Sequence, residues 1–521
     1  MKSLTISLIL ASIALFYVQA APVQIFQTSR SGDRLTEKTP VESADPPAST
    51  ISIELDQRFQ TIAGFGASFT ESSAWCLATL PESSRKEVLH QFFSPDSGAG
   101  FSLMRTHINS CDYSLGHYTY IEPGDVDLKT FNVHEDKKGF SGNEYDEVRG
   151  IPLQTPSYDL LPLIHEAQAV PSASFEILAS PWSPPSWMKT GEHSEMTGGH
   201  LRKDEDEKGR YIYWDVWVRY LVQYLKAYAN EDVPIWGLTP QNEPGHAEHA
   251  RWDTCYWSAD DQRIFIKDYL GPELEKAGLI DRTNLDTGLK LFAYDHNKAD
   301  LLDIAGNILA DSDAASYIYG TAFHWYAINL GGKINYRGED LATLQHKHPG
   351  KALLHSESSI DIHPDAPVKQ YWDPNNRDWT QGLFTPFSQY AIDIITDLNN
   401  GAIGYIDWCM VLSNTGGPNP YNNFNSAAVL IDPVEQSIIY TPLYYLLSHF
   451  SKYVRPGAIR LGFTATLPKN VCATAMQNTD GSIAVIIFND NTTPEKITIQ
   501  VAEKSTTTLL SADAVQTILL R

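Results

Sequence analysis

Phe101-Ser102-Leu103-Met104-Arg105 is a short, mostly apolar run that closes on a charge, and its pattern decides the fold. A run this short, lacking a polar face, reads as a strand buried on both sides. The rhythm recurs at about 62–69, 174–180, 233–239, 289–295, 319–326, 351–357 and 401–409, with Ala352-Leu353-Leu354 as another clear case. Helical stretches lie between these runs. Tyr213 to Ala229 carries Trp214, Trp217, Leu221, Tyr224 and Leu225 at the three-four spacing of an amphipathic helix. Ser258 to Gly278 opens on Ser258 and Asp260-Asp261, residues suited to a helix N-terminus, and Pro81 to Phe93 and Phe387 to Leu398 are further helices. Eight strands alternating with helices over 63–456 predict an α/β fold, the (β/α)8 TIM barrel. An open doubly wound sheet is the alternative, but no glycine-rich nucleotide loop follows the first strand.

Outside that stretch the pattern changes. Ile51-Ser52-Ile53-Glu54-Leu55 alternates like a half-buried strand, whereas Ala484-Val485-Ile486-Ile487-Phe488 and Ile497-Thr498-Ile499 are short strands with turns such as Asn478-Thr479-Asp480-Gly481 between them. A small all-β sandwich built from both chain ends, 49–62 with 457–521, is expected. Residues 21–48, rich in Ser, Thr and Pro, read as a linker. Residues 1–20 read as a secretory signal, with Lys2, an apolar run from Leu4 to Val18, and Val18-Gln19-Ala20 as the cleavage site. A secreted or periplasmic protein is therefore expected, a lysosomal one being the alternative.

The 39 Lys+Arg against 63 Asp+Glu leave a formal charge of -24, which excludes partners held by phosphate, nucleic acid above all. Cys76, Cys111, Cys255, Cys409 and Cys472 are scattered, forming neither a disulfide framework nor a zinc pattern. His246-Ala247-Glu248-His249 has metal-like spacing but lacks a third ligand nearby, and no Gly-x-Ser-x-Gly elbow exists for a serine hydrolase. No metal and no organic cofactor is expected.

Barrels of this kind carry their chemistry at the C-terminal ends of the strands. Those ends hold Arg105, Pro181-Trp182, Gln241-Asn242-Glu243-Pro244, Asp295-His296-Asn297, His324-Trp325-Tyr326, His355-Ser356-Glu357 and Asp407-Trp408. Glu243 and Glu357 thus fall on one face of the barrel, and two carboxylates across an aromatic cleft are the apparatus for cleaving a glycosidic bond. Trp182, Trp325 and Trp408 are candidate stacking surfaces for a sugar; Asn242 and Asp112 are candidate partners for its hydroxyls. Plainer readings stand beside these: Asn-Glu-Pro also caps helices, Glu357 also suits an ion pair with Arg105, and tryptophan-rich loops also simply pack.

At these residues the chain resembles the glucosylceramidases of glycoside hydrolase family 30. The likeness runs from Phe59-Gln60-Thr61-Ile62-Ala63-Gly64-Phe65-Gly66-Ala67 through Ser110-Cys111-Asp112-Tyr113-Ser114 and Ala179-Ser180-Pro181-Trp182-Ser183-Pro184-Pro185-Ser186-Trp187. It continues through Asn242-Glu243-Pro244 and Gly416-Gly417-Pro418-Asn419 to His449-Phe450-Ser451-Lys452. The resemblance implies Glu243 as acid/base and Glu357 as nucleophile, with Asp112, Trp182, Asn242, Trp408 and Asn423 holding the glucose. It places His324 and Tyr326 beside the nucleophile and Arg105 in support. It departs in the His355-Ser356-Glu357-Ser358 context of the nucleophile, in Gln241, and in the absence of any cysteine before Cys76. The expected activity is retaining hydrolysis of glucosylceramide-type β-glucosides, with peripheral contact to lipid aggregates through an apolar rim at 411–421 and 328–330. An endo-β-1,6-glucanase is the alternative, and a non-enzymatic carbohydrate-binding protein is the reading from another class.

Overall fold

The computed structural model describes residues 23–521 except 44–45, 141–144, 147–150, 153–154, 191–195, 246–250, 327–328, 331–332 and 361–386. Eight parallel strands close into a barrel: β1 (Gly64–Phe69), β2 (Leu103–Ile108), β3 (Glu176–Pro181), β4 (Gly237–Leu238), β5 (Lys290–Asn297), β6 (Gly320–His324), β7 (Ala352–Glu357) and β8 (Ala402–Cys409). Each corresponds to one of the apolar runs. The runs lack polar alternation because both faces are covered. Leu103, Leu178, Phe292, Ala322, Leu354 and Ile406 form one cluster across the strands. Their neighbours Met104, Ile177, Leu291 and Leu353 join the larger core with the helices. Close approach of β1 and β2 requires a glycine, since a Cβ on Gly66 would lie 2.1 Å from the Leu103 carbonyl oxygen.

The helix Ile212–Asn230 buries Trp214, Trp217, Leu221, Tyr224 and Leu225, the stripe read from their spacing. The stretch from Ser258 is not one regular helix. Ser258 caps it by accepting from the Asp261 N–H, but an α-helix Ala259–Ile264 passes into a π-helical turn, Phe265–Leu270, before Gly271–Lys276. Pro272 has no N–H to return to the carbonyl of Asp268, which accepts instead from Arg210 Nη1 at 3.3 Å.

The second domain is a nine-stranded sheet folded over its own core. Thr50–Thr61 pairs antiparallel with Ile459–Thr466 and parallel with Glu495–Val501, joining the N-terminal and C-terminal strands. Alternation along Ile483–Asn489 divides its side chains. Val485 and Ile487 enter the sandwich core, and Ile486 and Phe488 face the barrel. The expectation of a linker over 21–48 is corrected: Gln24–Ser29 is a strand paired with Ala514–Leu520, and Thr36–Lys38 pairs with it in turn. This strand hides from a hydropathy reading because its buried residues include Gln27, Thr28 and Ser29. Their polar atoms are satisfied internally, as where Gln27 Oε1 accepts from Gln516 Nε2 at 2.8 Å and from the Ser511 N–H at 3.1 Å. All five cysteines carry free thiols. Among the described residues no helix is long and apolar enough to cross a membrane. The expected signal segment lies outside the described residues.

Candidate active site

The site lies at the C-terminal mouth of the barrel, where Arg105 on β2 organises it. The guanidinium is fully buried. Nη1 pairs with Glu357 Oε2, and Nη2 donates to Asp295 Oδ2 at 2.9 Å and Asn242 Oδ1 at 2.8 Å. Nε donates to Ser180 Oγ at 3.2 Å. One cation thus ties together the ends of β2, β3, β5 and β7 and the loop after β4. Burying a charge is costly unless it is paired and hydrogen-bonded, and here all three guanidinium nitrogens are engaged.

Glu357 ends β7, and its other oxygen accepts from Tyr326 Oη at 2.9 Å. Glu243 follows the very short β4 in a left-handed conformation, φ 46°, with its backbone N–H donating to the Asp295 carbonyl at 3.0 Å. Such a conformation is strained for a glutamate and is held here by its surroundings. His324 stands between the acids. Its Nε2 meets Asp295 Oδ1 at 3.0 Å, while Nδ1 lies 3.4 Å from Glu243 Oε1 and 3.8 Å from Glu357 Oε1. Burial opposes its charging, but Glu357, Asp295 and Glu243 outweigh that and lift it to about 9, so the ring is cationic at neutral pH. One oxygen of Glu243 and one of Glu357 lie within 4.8 Å of each other.

Asp112 leaves one polar atom open to the pocket. Its Oδ2 accepts from Asn423 Nδ2 at 2.9 Å, whereas Oδ1, buried, has no hydrogen-bond partner among the described residues. Burial, then the negative charges of Glu357 and Glu243, push its carboxyl well above the usual range. Trp182 and Trp408 stack on each other with ring centroids 4.9 Å apart, and the Arg105 guanidinium sits 4.9 Å and 5.5 Å from them. The expectation for Trp325 is corrected: it points away from this group, donating to the Ser359 carbonyl and packing 4.4 Å from the ring of Tyr390. Apart from Trp325, every site residue expected from the sequence belongs to this one connected cluster.

Sequence reasoning assigned no role to Asp295, although Asp295-His296-Asn297 was visible at a strand end. Its carboxylate accepts from Arg105, Ser180 and Thr239 on one oxygen and from His324 and Ser356 on the other. Burial alone would raise its pKa, but Arg105 and these donors hold it far below the carboxylate range. Among the described residues, two groups bring ligand-type atoms close enough to share an ion: Glu243, His324 and Glu357, and the deeper His355, Asp393 and Asp397. In the second, the Lys298 ammonium already fills the place, at 2.7 Å and 2.6 Å from the two aspartates. His246 and His249 lie outside the described residues, as do the side chains of the 328–330 rim, and the apolar rim expected at 411–421 is corrected, since Val411 and Leu412 are fully buried.

Residues 62–454 match the glycosyl hydrolase family 30 TIM-barrel domain, and 457–518 match the family 30 beta sandwich domain. The lysosomal acid glucosylceramidase of Mus musculus is 27% identical over 484 residues, covering 91% of this chain and 84% of the mouse protein. An endo-1,6-beta-D-glucanase of Neurospora crassa is 29% identical, covering 86% of this chain and 84% of its own. A solved endo-beta1,6-glucanase superposes with a TM-score of 0.76 at 27% identity, covering 96% of this chain and 98% of that one. The chain therefore belongs to glycosyl hydrolase family 30 and is a glycoside hydrolase.

Proposed function

We propose that the protein is a retaining β-glucosidase of the glucosylceramidase type, with Glu357 as nucleophile and Glu243 as acid/base. The observation that carries this reading is the approach of the two glutamates to within 4.8 Å between their nearest oxygens. Retaining enzymes hold their carboxyl groups about 5–5.5 Å apart, whereas an inverting enzyme leaves about 6.5–9.5 Å for a water. In the first step the Glu357 carboxylate, oriented by Arg105 and Tyr326, bonds to the anomeric carbon. The glycosidic bond breaks, and the proton of Glu243 goes to the leaving oxygen. In the second step Glu243 takes a proton from water as its oxygen attacks the same carbon, and Glu357 departs as carboxylate. His324 offsets the negative charge that the two glutamates bring together. Asp112 Oδ1, Asn242 and Asn423 are the polar groups available to sugar hydroxyls, and Trp182 and Trp408 close the wall behind Arg105.

Glucosylceramide as substrate is supported by the mouse relative, and the apolar run Leu4 to Val18 supports export from the cell. With a formal charge of -24, contact with lipid aggregates would be apolar or detergent-assisted. The likeness to a solved endo-beta1,6-glucanase supports a second reading, cleavage of β-1,6-glucan. Incubation of the purified protein with glucosylceramide in mixed micelles and, separately, with β-1,6-glucan distinguishes them. Glucose and ceramide from the lipid are expected. Oligosaccharides from the glucan with an untouched lipid would establish the second reading instead.

A further inference from the structure

Behind the nucleophile lies a buried ionic group that the reaction does not touch. Asp393 and Asp397 stand one turn apart on the helix Phe387–Asn399, and both accept from Lys298, just after β5, at 2.7 Å and 2.6 Å. His355, two residues before Glu357 on β7, completes the group. Its Nδ1 faces Asp397 Oδ2 at 2.7 Å, and its Nε2 faces the backbone carbonyl oxygen of Glu357 at 2.9 Å. The imidazole stacks on the Tyr405 ring, with centroids 3.8 Å and planes 27° apart. All four ionisable side chains are at most 1% exposed.

The hydrogen positions follow from the partners. A carbonyl oxygen only accepts, so Nε2 carries a proton and donates to Glu357. Nδ1 faces a carboxylate, so a further proton lies between it and Asp397. Burial lifts Asp397 to about 6 and pushes the His355 imidazole well below its ordinary value, so a proton shared between them rests on the Asp397 side.

The placement matters because β7 is bulged at this point. Along β6 and β7, Phe323 pairs with His355 and His324 with Glu357, leaving Ser356 as the extra residue. Side chains two apart on a regular strand point the same way. Without the bulge, Glu357 would follow His355 toward the helix layer. With it, His355 faces Asp397 on the helix, and Glu357 turns into the barrel mouth with Ser356, which donates to Asp295 at 2.6 Å.

We propose that His355, held by Asp397, Asp393 and Lys298, is a positioning residue that fixes the β7 bulge by donating to the Glu357 carbonyl and so aims the nucleophile at the anomeric carbon. The inference rests on the reading of Glu357 as nucleophile. Its effect would be on the rate of glycosyl transfer rather than on sugar binding, since His355 reaches no part of the pocket. A displacement of about 1 Å at a reacting group costs on the order of 10²-fold in rate.

The test uses a dinitrophenyl 2-deoxy-2-fluoro-β-glucoside, whose inactivation kinetics separate the affinity of the first complex from the rate of covalent capture. His355→Leu removes the donor; His355→Gln keeps an amide N–H at a similar reach. Covalent capture is expected to slow by roughly 10²-fold in His355→Leu with affinity nearly unchanged, and to recover most of that loss in His355→Gln. Capture by His355→Leu at the native rate, or equal losses in both variants, would overturn the inference. So would a fall in affinity that parallels a fall in melting temperature, because it would mark a merely structural role. Peptide mapping of the labelled native protein keeps the two readings apart: a label elsewhere than Glu357 refutes the nucleophile assignment itself.

Discussion

Tyr326→Phe removes one oxygen and leaves the ring in place, so it isolates a single hydrogen bond at the proposed nucleophile. In the native site Tyr326 Oη donates to Glu357 Oε1 at 2.9 Å, while Arg105 holds the other oxygen. A hydrogen bond to a charged acceptor is worth about 1.5–3 kcal/mol, and this one orients the attacking carboxylate. At about 1.36 kcal/mol per tenfold in rate, its loss is expected to lower kcat/KM by about 10–10²-fold. Tyr326 is only partly buried, which places the expected loss toward the lower end of that range. The assay is kcat/KM with dinitrophenyl β-glucoside. This leaving group departs without protonation, so the rate reports attack by the nucleophile alone. A kcat/KM within about twofold of the native one would refute the claim that this hydrogen bond supports the nucleophile.

Glu243→Ala is expected to depress hydrolysis of alkyl glucosides by about 10²–10⁴-fold while sparing the glycosylation step with dinitrophenyl glucoside, and azide should restore turnover. Equal losses on both substrates, measured by steady-state kinetics, would leave Glu243 without an acid's role. Stability should fall between mildly acidic and alkaline pH. Burial raises Asp136, Asp393 and Asp397 to about 6, Asp407 to about 7 and Asp159 to about 8. The folded chain then holds protons that the unfolded chain releases near pH ~4, and this stabilisation is lost as pH rises through those values. His324, lifted to about 9 by its carboxylate neighbours against the pull of burial, adds a loss in the same direction above its ordinary value of 6.5. Burial lowers His107 to about 4 and His449 to about 3, which destabilises only below that ordinary value. The melting temperature by calorimetry should therefore be higher near pH ~6 than near pH ~8.5, and an equal or lower value would contradict the burial effects.

The barrel was legible because its strands are covered on both faces. A strand such as Leu103–Ile108 has one surface against the barrel interior and the other against helices, so its apolar run needs no alternation and stands out against the amphipathic helices around it. Gln24–Ser29 shows the limit of that logic. Its buried face is partly polar and is satisfied by Gln516 and Ser511, residues nearly 500 positions away in the chain, so no local pattern announces it.

The strand-end reading gathered Arg105, Glu243, His324 and Glu357 on one mouth, but it could not orient them, because orientation there depends on departures from strand regularity. Register shifts leave Asp295 extra on β5 against β6, Ser356 extra on β7 against β6, and Trp408 extra on β8 against β1. Each bulge changes which way the following side chains point. Period-two counting from Leu354 would put Ser356 into the barrel and Glu357 out of it; the bulge lets both face inward. Asp295 went unassigned for the same reason, since its five donors come from β2, β3, β6 and β7 and the residue following β4, and they meet only once the strand ends bend. Trp325 erred in the opposite sense: as the residue between His324 and Tyr326, it alternates to the outer side and packs on Tyr390. Composition identifies the groups that can cleave a glycosidic bond, but their aim is set by non-local pairing, which is why the clamp on the β7 bulge is the place where a change remote from the sugar should cost rate without costing affinity.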